Sequence, residues 1–93
     1  MRAILTTVGQ DKTGIIAGVS TFLAERGINI LDLSQTIMKG YFTMMMVVDV
    51  DDSADFSALS SDLTGLGKKM GVEINIRNEK MYAAMHELSG GLD

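Results

Sequence analysis

Residues 9–16 read Gly9-Gln10-Asp11-Lys12-Thr13-Gly14-Ile15-Ile16, and the segments on either side give this stretch its meaning. Before it, Arg2-Ala3-Ile4-Leu5-Thr6-Thr7-Val8 is a short run with β-branched residues and strand character. After it, Ile15, Ile16, Val19, Phe22 and Leu23 recur at helical spacing. The stretch is therefore a strand-to-helix turn. Such a turn leaves the backbone N–H groups of the helix's first turn free, and those groups attract carboxylates and phosphates. Gly14 lets a ligand approach the backbone without meeting a Cβ. A purely local reading stands beside this one, in which Asp11 or Thr13 caps the helix and Gly14 eases the turn.

The helix is expected from Thr13 or Gly14 to Arg26, ended by Gly27 in the position that favours a left-handed exit. Ala17, Gly18 and Ala24 leave a shallow strip along it. Residues 28–38, Ile-Asn-Ile-Leu-Asp-Leu-Ser-Gln-Thr-Ile-Met, alternate imperfectly, with Leu31, Leu33 and Ile37 on one face and Asp32, Ser34 and Thr36 on the other. That pattern predicts a half-exposed strand. Lys39-Gly40 is a turn signal, so residues 41–50 form a hairpin with it. In this third strand Met44, Met46 and Val48 share one face and Met45 and Val47 the other, which predicts cover on both sides. Helices explain one cover; the C-terminal segment or a second copy of the chain is expected to supply the other.

Asp49, Asp51, Asp52 and Asp55 resemble the start of a calcium loop, but Ala54 and Ser60 stand where its glycine and bidentate glutamate belong. The run reads instead as a loop with helix-start charges. Phe56, Leu59, Leu63, Leu66 and Met70 then give a second amphipathic helix, weakened by Gly65 and Gly67 at about 1 kcal/mol each relative to Ala. Gly71 stops it. Val72 to Arg77 alternates cleanly as a fourth strand, and Met81, Tyr82, Met85 and Leu88 fall on one face of a terminal helix able to close the open side of the sheet.

The order β-α-β-β-α-β with right-handed crossovers predicts an α+β, ferredoxin-like sandwich with antiparallel sheet order 4-1-3-2 and a short C-terminal helix. Ninety-three residues at 46% hydrophobic content suit one domain, placed at 1–78, with 79–93 as helix and tail. The absence of cysteine excludes a disulfide framework, a thiolate nucleophile and cysteine-based metal sites, and a reducing compartment suits it. No signal-peptide core or apolar run of about 18 residues is present, so a cytoplasmic location is expected. A net charge of -4 opposes general affinity for nucleic acid.

Fold alone does not give function. The run from Gly9 to Leu33, with its Asp-x-x-Gly-Ile at Asp11 to Ile15 and Gly-x-Asn-Ile at Gly27 to Ile30, resembles the signature of ACT domains, small regulatory modules that bind amino acids. The whole chain looks like the small stand-alone ACT-domain proteins of bacteria and archaea. Thr13 departs from the proline many members carry; it keeps an N–H and adds a hydroxyl. The resemblance implies a homodimer paired edge to edge with an amino acid or similar small carboxylate in the seam. It implies Asp11, Lys12, Thr13, Gly14, Ile15 and Ile16 as one wall, and Asn29, Ile30 and Leu31 of the other copy as the facing wall. Backbone N–H groups near Gly14 suit the carboxylate, and Asn29 suits the amino or side-chain group, with Asp11 the other candidate for the ammonium. Asn29 also reads as a turn residue entering a strand. An unidentified regulated protein would receive the signal.

Catalysis is not expected. His86 is the sole histidine, no hydrolase, zinc-protease or dinucleotide fingerprint is present, and Ile15-Ile16 replace the phosphate-loop Lys and Ser/Thr. RNA binding would need exposed aromatics on the central strands, and strand three offers methionine. The competing reading is ligand-independent oligomerisation or docking through the Met-rich sheet face.

Overall fold

A computed structural model describes residues 1–10 and 13–88. The elements run β1 (Arg2–Gln10), α1 (Ile15–Glu25), β2 (Asn29–Met38), β3 (Tyr41–Asp49), α2 (Phe56–Met70), β4 (Val72–Asn78) and α3 (Glu79–Leu88). The four strands make one antiparallel sheet in the order β2-β3-β1-β4, the anticipated ferredoxin-like arrangement read from its other edge.

Strand alternation explains the core. Ala3, Leu5 and Thr7 of β1, Phe42, Met44, Met46 and Val48 of β3, and Ile74 and Ile76 of β4 all point to one face and are buried. Helix α1 covers that face with Ile15, Val19, Phe22 and Leu23, and α2 with Leu59 and Leu63. The shallow strip on α1 has a partner: a Cβ on Gly18 would meet the Met70 Cε at 3.0 Å.

Local chemistry sets the element ends. Gly27, at φ 69°, closes α1 with a Schellman motif, in which the Ile28 N–H donates to the Leu23 carbonyl at 2.9 Å and the Gly27 N–H to the Ala24 carbonyl at 3.0 Å. Lys39 and Gly40, both left-handed at φ 51° and 82°, form the two-residue hairpin turn. Asp55 caps α2 by accepting from the Ala58 N–H at 3.0 Å, and Gly71 ends that helix at φ 76°. The rest of the acidic run is also placed. Asp51 accepts from Ser53, while Asp49 and Asp52 stand 3.4 and 2.9 Å from the Met1 amino group.

Within one protomer the helices supply one of the two covers expected for β3: Met44 and Met46 are fully buried, while Met45 on the other face is 39% exposed. Two expectations are corrected. β2 is exposed along almost all its length instead of half-exposed, since only Ile30 packs against the core. Met81 is 54% exposed, and α3 leaves Val8, Tyr41 and Met45 uncovered on the open face. The side chains of Tyr82, Met85, His86 and Leu88 lie outside the described part of α3.

Candidate functional site

Gly14 is the N-cap of α1, at φ 91° and ψ 0°, and among the described residues no side chain caps the helix there. Thr13 is therefore not the cap the local reading assigned, and Asp11 and Lys12 lie outside the described residues. The first intrahelical bond is Gly18 N–H to the Gly14 carbonyl at 2.9 Å, so the N–H groups of Ile15, Ile16 and Ala17 precede it. Among the described residues nothing lies within 4 Å of a Cβ built on Gly14. Ile15 is buried and anchors the turn to the core, whereas Ile16 is 37% exposed and Thr13 is exposed. The result is an open helix N-terminus flanked by one apolar and one hydroxyl side chain.

The facing set is elsewhere. Asn29 pairs with Asp49, which pairs with Arg2, so Asn29 starts β2 at the end of the sheet where β1 begins. The Gly14 turn follows Gln10, which pairs with Tyr41 and through it with Met38, at the other end. A nine-residue strand at about 3.3 Å per residue separates the two sets by roughly 25 to 30 Å. A single chain thus brings Thr13, Gly14, Ile15 and Ile16 together, and Asn29, Ile30 and Leu31 together, but not the two groups.

Leu31 carries a feature that alternation alone concealed. The β2–β3 register shifts between Ile30 and Asp32, which makes Leu31 the extra residue of a β-bulge. Ile30, Leu33 and Ile37 share the helix-facing side, opposite Val48, Met46 and Phe42, and Leu31 is out of step with them at 48% exposure. The sequence pattern had grouped Leu31 with Leu33. Asp32 accepts from the Leu33 N–H at 2.8 Å beside the bulge.

A surface hollow of about 630 Å³ is lined by Met1, Arg2, Asp52 and the start of α3, at the end of the sheet remote from Gly14. It holds none of the anticipated residues. Residues 2–77 match the sequence profile of the ACT domain. The chain belongs to the ACT-domain family. It is 52% identical over 89 residues to a UPF0237 protein of Listeria innocua, covering 95% of this chain and 100% of that one. An ACT domain protein from Streptococcus pneumoniae superposes with a TM-score of 0.81 at 48% identity, over 88% of this chain and 93% of that one. The regulatory subunit of aspartate kinase from Thermus thermophilus, in ligand-free form, superposes with a TM-score of 0.66 at 26% identity, over 84% of this chain and 51% of that one. ACT domains are small-ligand-binding regulatory modules, and this family is not a known enzyme family. No helix among the described residues of this ACT domain is long and apolar enough to cross a membrane.

Proposed function

We propose that this ACT-domain protein acts without catalysis as a cytoplasmic sensor of an amino acid or similar small carboxylate. Two copies pair along β2, and the ligand sits in the seam between them. The observation that carries this reading is the exposed helix start at Gly14, without a side-chain cap among the described residues, at the same end of the sheet as the Met38 end of an edge strand that its own chain leaves exposed. Antiparallel pairing of two β2 strands reverses one copy end for end. It brings Asn29, Ile30 and Leu31 of the second copy to the hairpin end, where Gly14 stands.

Within such a seam the Ile15, Ile16 and Ala17 N–H groups hold the ligand carboxylate, helped by the positive end of α1. Asn29 of the second copy offers both an amide donor and an acceptor to the amino or side-chain group. Ile16 and Leu31, both partly exposed, supply apolar walls. Because a ligand bound only by the pair stabilises the pair, metabolite level is converted into assembly state and passed to a regulated protein.

A thermal-shift panel of the amino acids at millimolar concentration tests the proposal. One of them is expected to raise the melting temperature of the wild type, and Asn29→Ala should remove that rise while leaving the unliganded melt unchanged. Uniform silence across the panel, with pairing intact, would overturn sensing.

A further inference from the structure

Helices α1 and α2 cover only one face of the sheet. The other face has a regular arrangement, which the strand register defines row by row. Its central row is Ser34, Met45, Thr6 and Asn75, taken from β2 to β4. Two residues along the strands on one side lies the row Asp32, Val47, Ile4 and Arg77, and two residues on the other side the row Thr36, Thr43, Val8 and Glu73. Its apolar residues are Met45 in the central row, Val8 on one side of it and Ile4 and Val47 on the other. Val8 and Met45 are 47% and 39% exposed, and Ile4 and Val47 are half-buried.

Arg77 and Glu73 stand at equal distances on either side of the central row, on the same edge strand. Four residues of strand separate them by about 13 Å, too far for a pair within one chain. Neither forms an ion pair among the described residues. A two-fold axis lying along the central row, perpendicular to the strands, exchanges the two flanking rows. Each Arg77 then faces a Glu73, each Ile4 a Val8, and Met45 faces its own counterpart. The face is complementary to itself in charge at Arg77 and Glu73 and in apolar contact at Ile4, Val8 and Met45, while Val47 meets Thr43 and Asp32 meets Thr36.

We propose that the open face of the sheet is a docking surface for a second copy of this chain, packed sheet on sheet about that axis. Facing sheets lie about 10 Å apart, a gap that Arg and Glu span from opposite sides. The Arg2–Glu79 ion pair at 3.1 Å sets the start of α3 beside the first residue of β1, one row beyond Ile4 and Arg77. The least dimension of the protomer, 21 Å, is that of one helix layer on one sheet. This contact is distinct from pairing along β2. An edge two-fold perpendicular to the sheet and a facial two-fold along the central row combine into a closed set of four copies.

Light scattering and native mass spectrometry of the purified full chain test the proposal, with circular dichroism confirming that each variant is folded. Arg77→Glu places like charges opposite each other and should halve the assembly mass seen for the wild type. The double variant Glu73→Arg/Arg77→Glu restores the same complementarity with the signs exchanged, and should return the mass to the wild-type value. In a Leu33→Lys background, which disables the edge, two copies should still be held together by the face. A mass unmoved by Arg77→Glu, a double variant that stays split, or single copies in the Leu33→Lys background would each overturn the proposal, whatever becomes of edge pairing or ligand binding.

Discussion

Gly67 of α2 packs so tightly on the start of β4 that a Cβ built on it would stand 2.6 Å from the Val72 carbonyl oxygen. Backbone on both sides cannot yield. Gly67→Ala, which helix propensity favours by about 1 kcal/mol, is therefore expected to destabilise the chain by about 2 kcal/mol through overpacking. Gly65, two residues earlier, has nothing within 4 Å of a built Cβ. Gly65→Ala should stabilise by about 0.5 to 1 kcal/mol, the propensity gain alone. Urea unfolding of the two variants beside the wild type checks both signs in one experiment.

Thr7 is fully buried on the helix side of β1, between Met44 of β3 and Ile74 of β4, and its hydroxyl finds no hydrogen-bond partner among the described residues. An unpaired buried hydroxyl costs about 1 to 3 kcal/mol of desolvation. Thr7→Val keeps the shape and the β-branching while removing that cost, so its unfolding midpoint should rise. Thr7→Ser keeps the hydroxyl and loses a packed methyl, so its midpoint should fall. A fall in Thr7→Val would mean that the hydroxyl is satisfied.

The two glycines of α2 mark the limit of what patterning conveys. Both read from the sequence as equal weaknesses, because propensity is a property of the residue and close approach is a property of its neighbour. Most of the fold was legible for the converse reason. The alternation of Phe42, Met44, Met46 and Val48, the helical spacing of Ile15, Val19, Phe22 and Leu23, and the stops at Gly27, Lys39-Gly40 and Gly71 are local signals that tertiary packing reinforces. The bulge at Leu31 was hidden, since one inserted residue leaves a sequence that still looks alternating. Of the candidate site, the turn at Gly14 was readable from its glycine and the helix behind it. Its separation from Asn29 was not, because that follows from which ends of the sheet two different connections occupy.

Asp51 gives the loop after β3 a pH response of definite sign. The Ser53 backbone N–H donates to its carboxylate at 2.9 Å and the Ser53 hydroxyl at 2.8 Å, and these bonds hold the carboxyl below its ordinary value of 3.8. A carboxyl lowered in the folded state contributes stability above its unfolded pKa, and loses that contribution as pH falls through the folded one. The loss is thus confined to pH below 3.8. Ser53→Ala removes the hydroxyl bond but keeps the backbone bond, which is the larger cause. A carbon-detected NMR titration should show the Asp51 pKa moving part of the way back up, and no change if the hydroxyl bond is absent in solution.

Leu33 tests the edge on which ligand sensing depends. It lies opposite Met46, on the side of the sheet that the helices cover, yet it is 38% exposed because α1 stops short of the outermost strand. Ile37, opposite Phe42, is 57% exposed for the same reason. An edge strand of ten residues with free backbone groups and such side chains invites pairing with another chain. A lysine at one of these positions blocks that pairing, as charged residues do on native sheet edges. Leu33→Lys should cost the isolated protomer less than about 1 kcal/mol, since it removes little buried surface. It should also halve the assembly mass by light scattering and abolish any thermal shift by an amino acid, because Asn29 of one copy no longer reaches Gly14 of the other. Retention of that shift in a variant of halved mass would place the ligand within a single chain and exclude the seam.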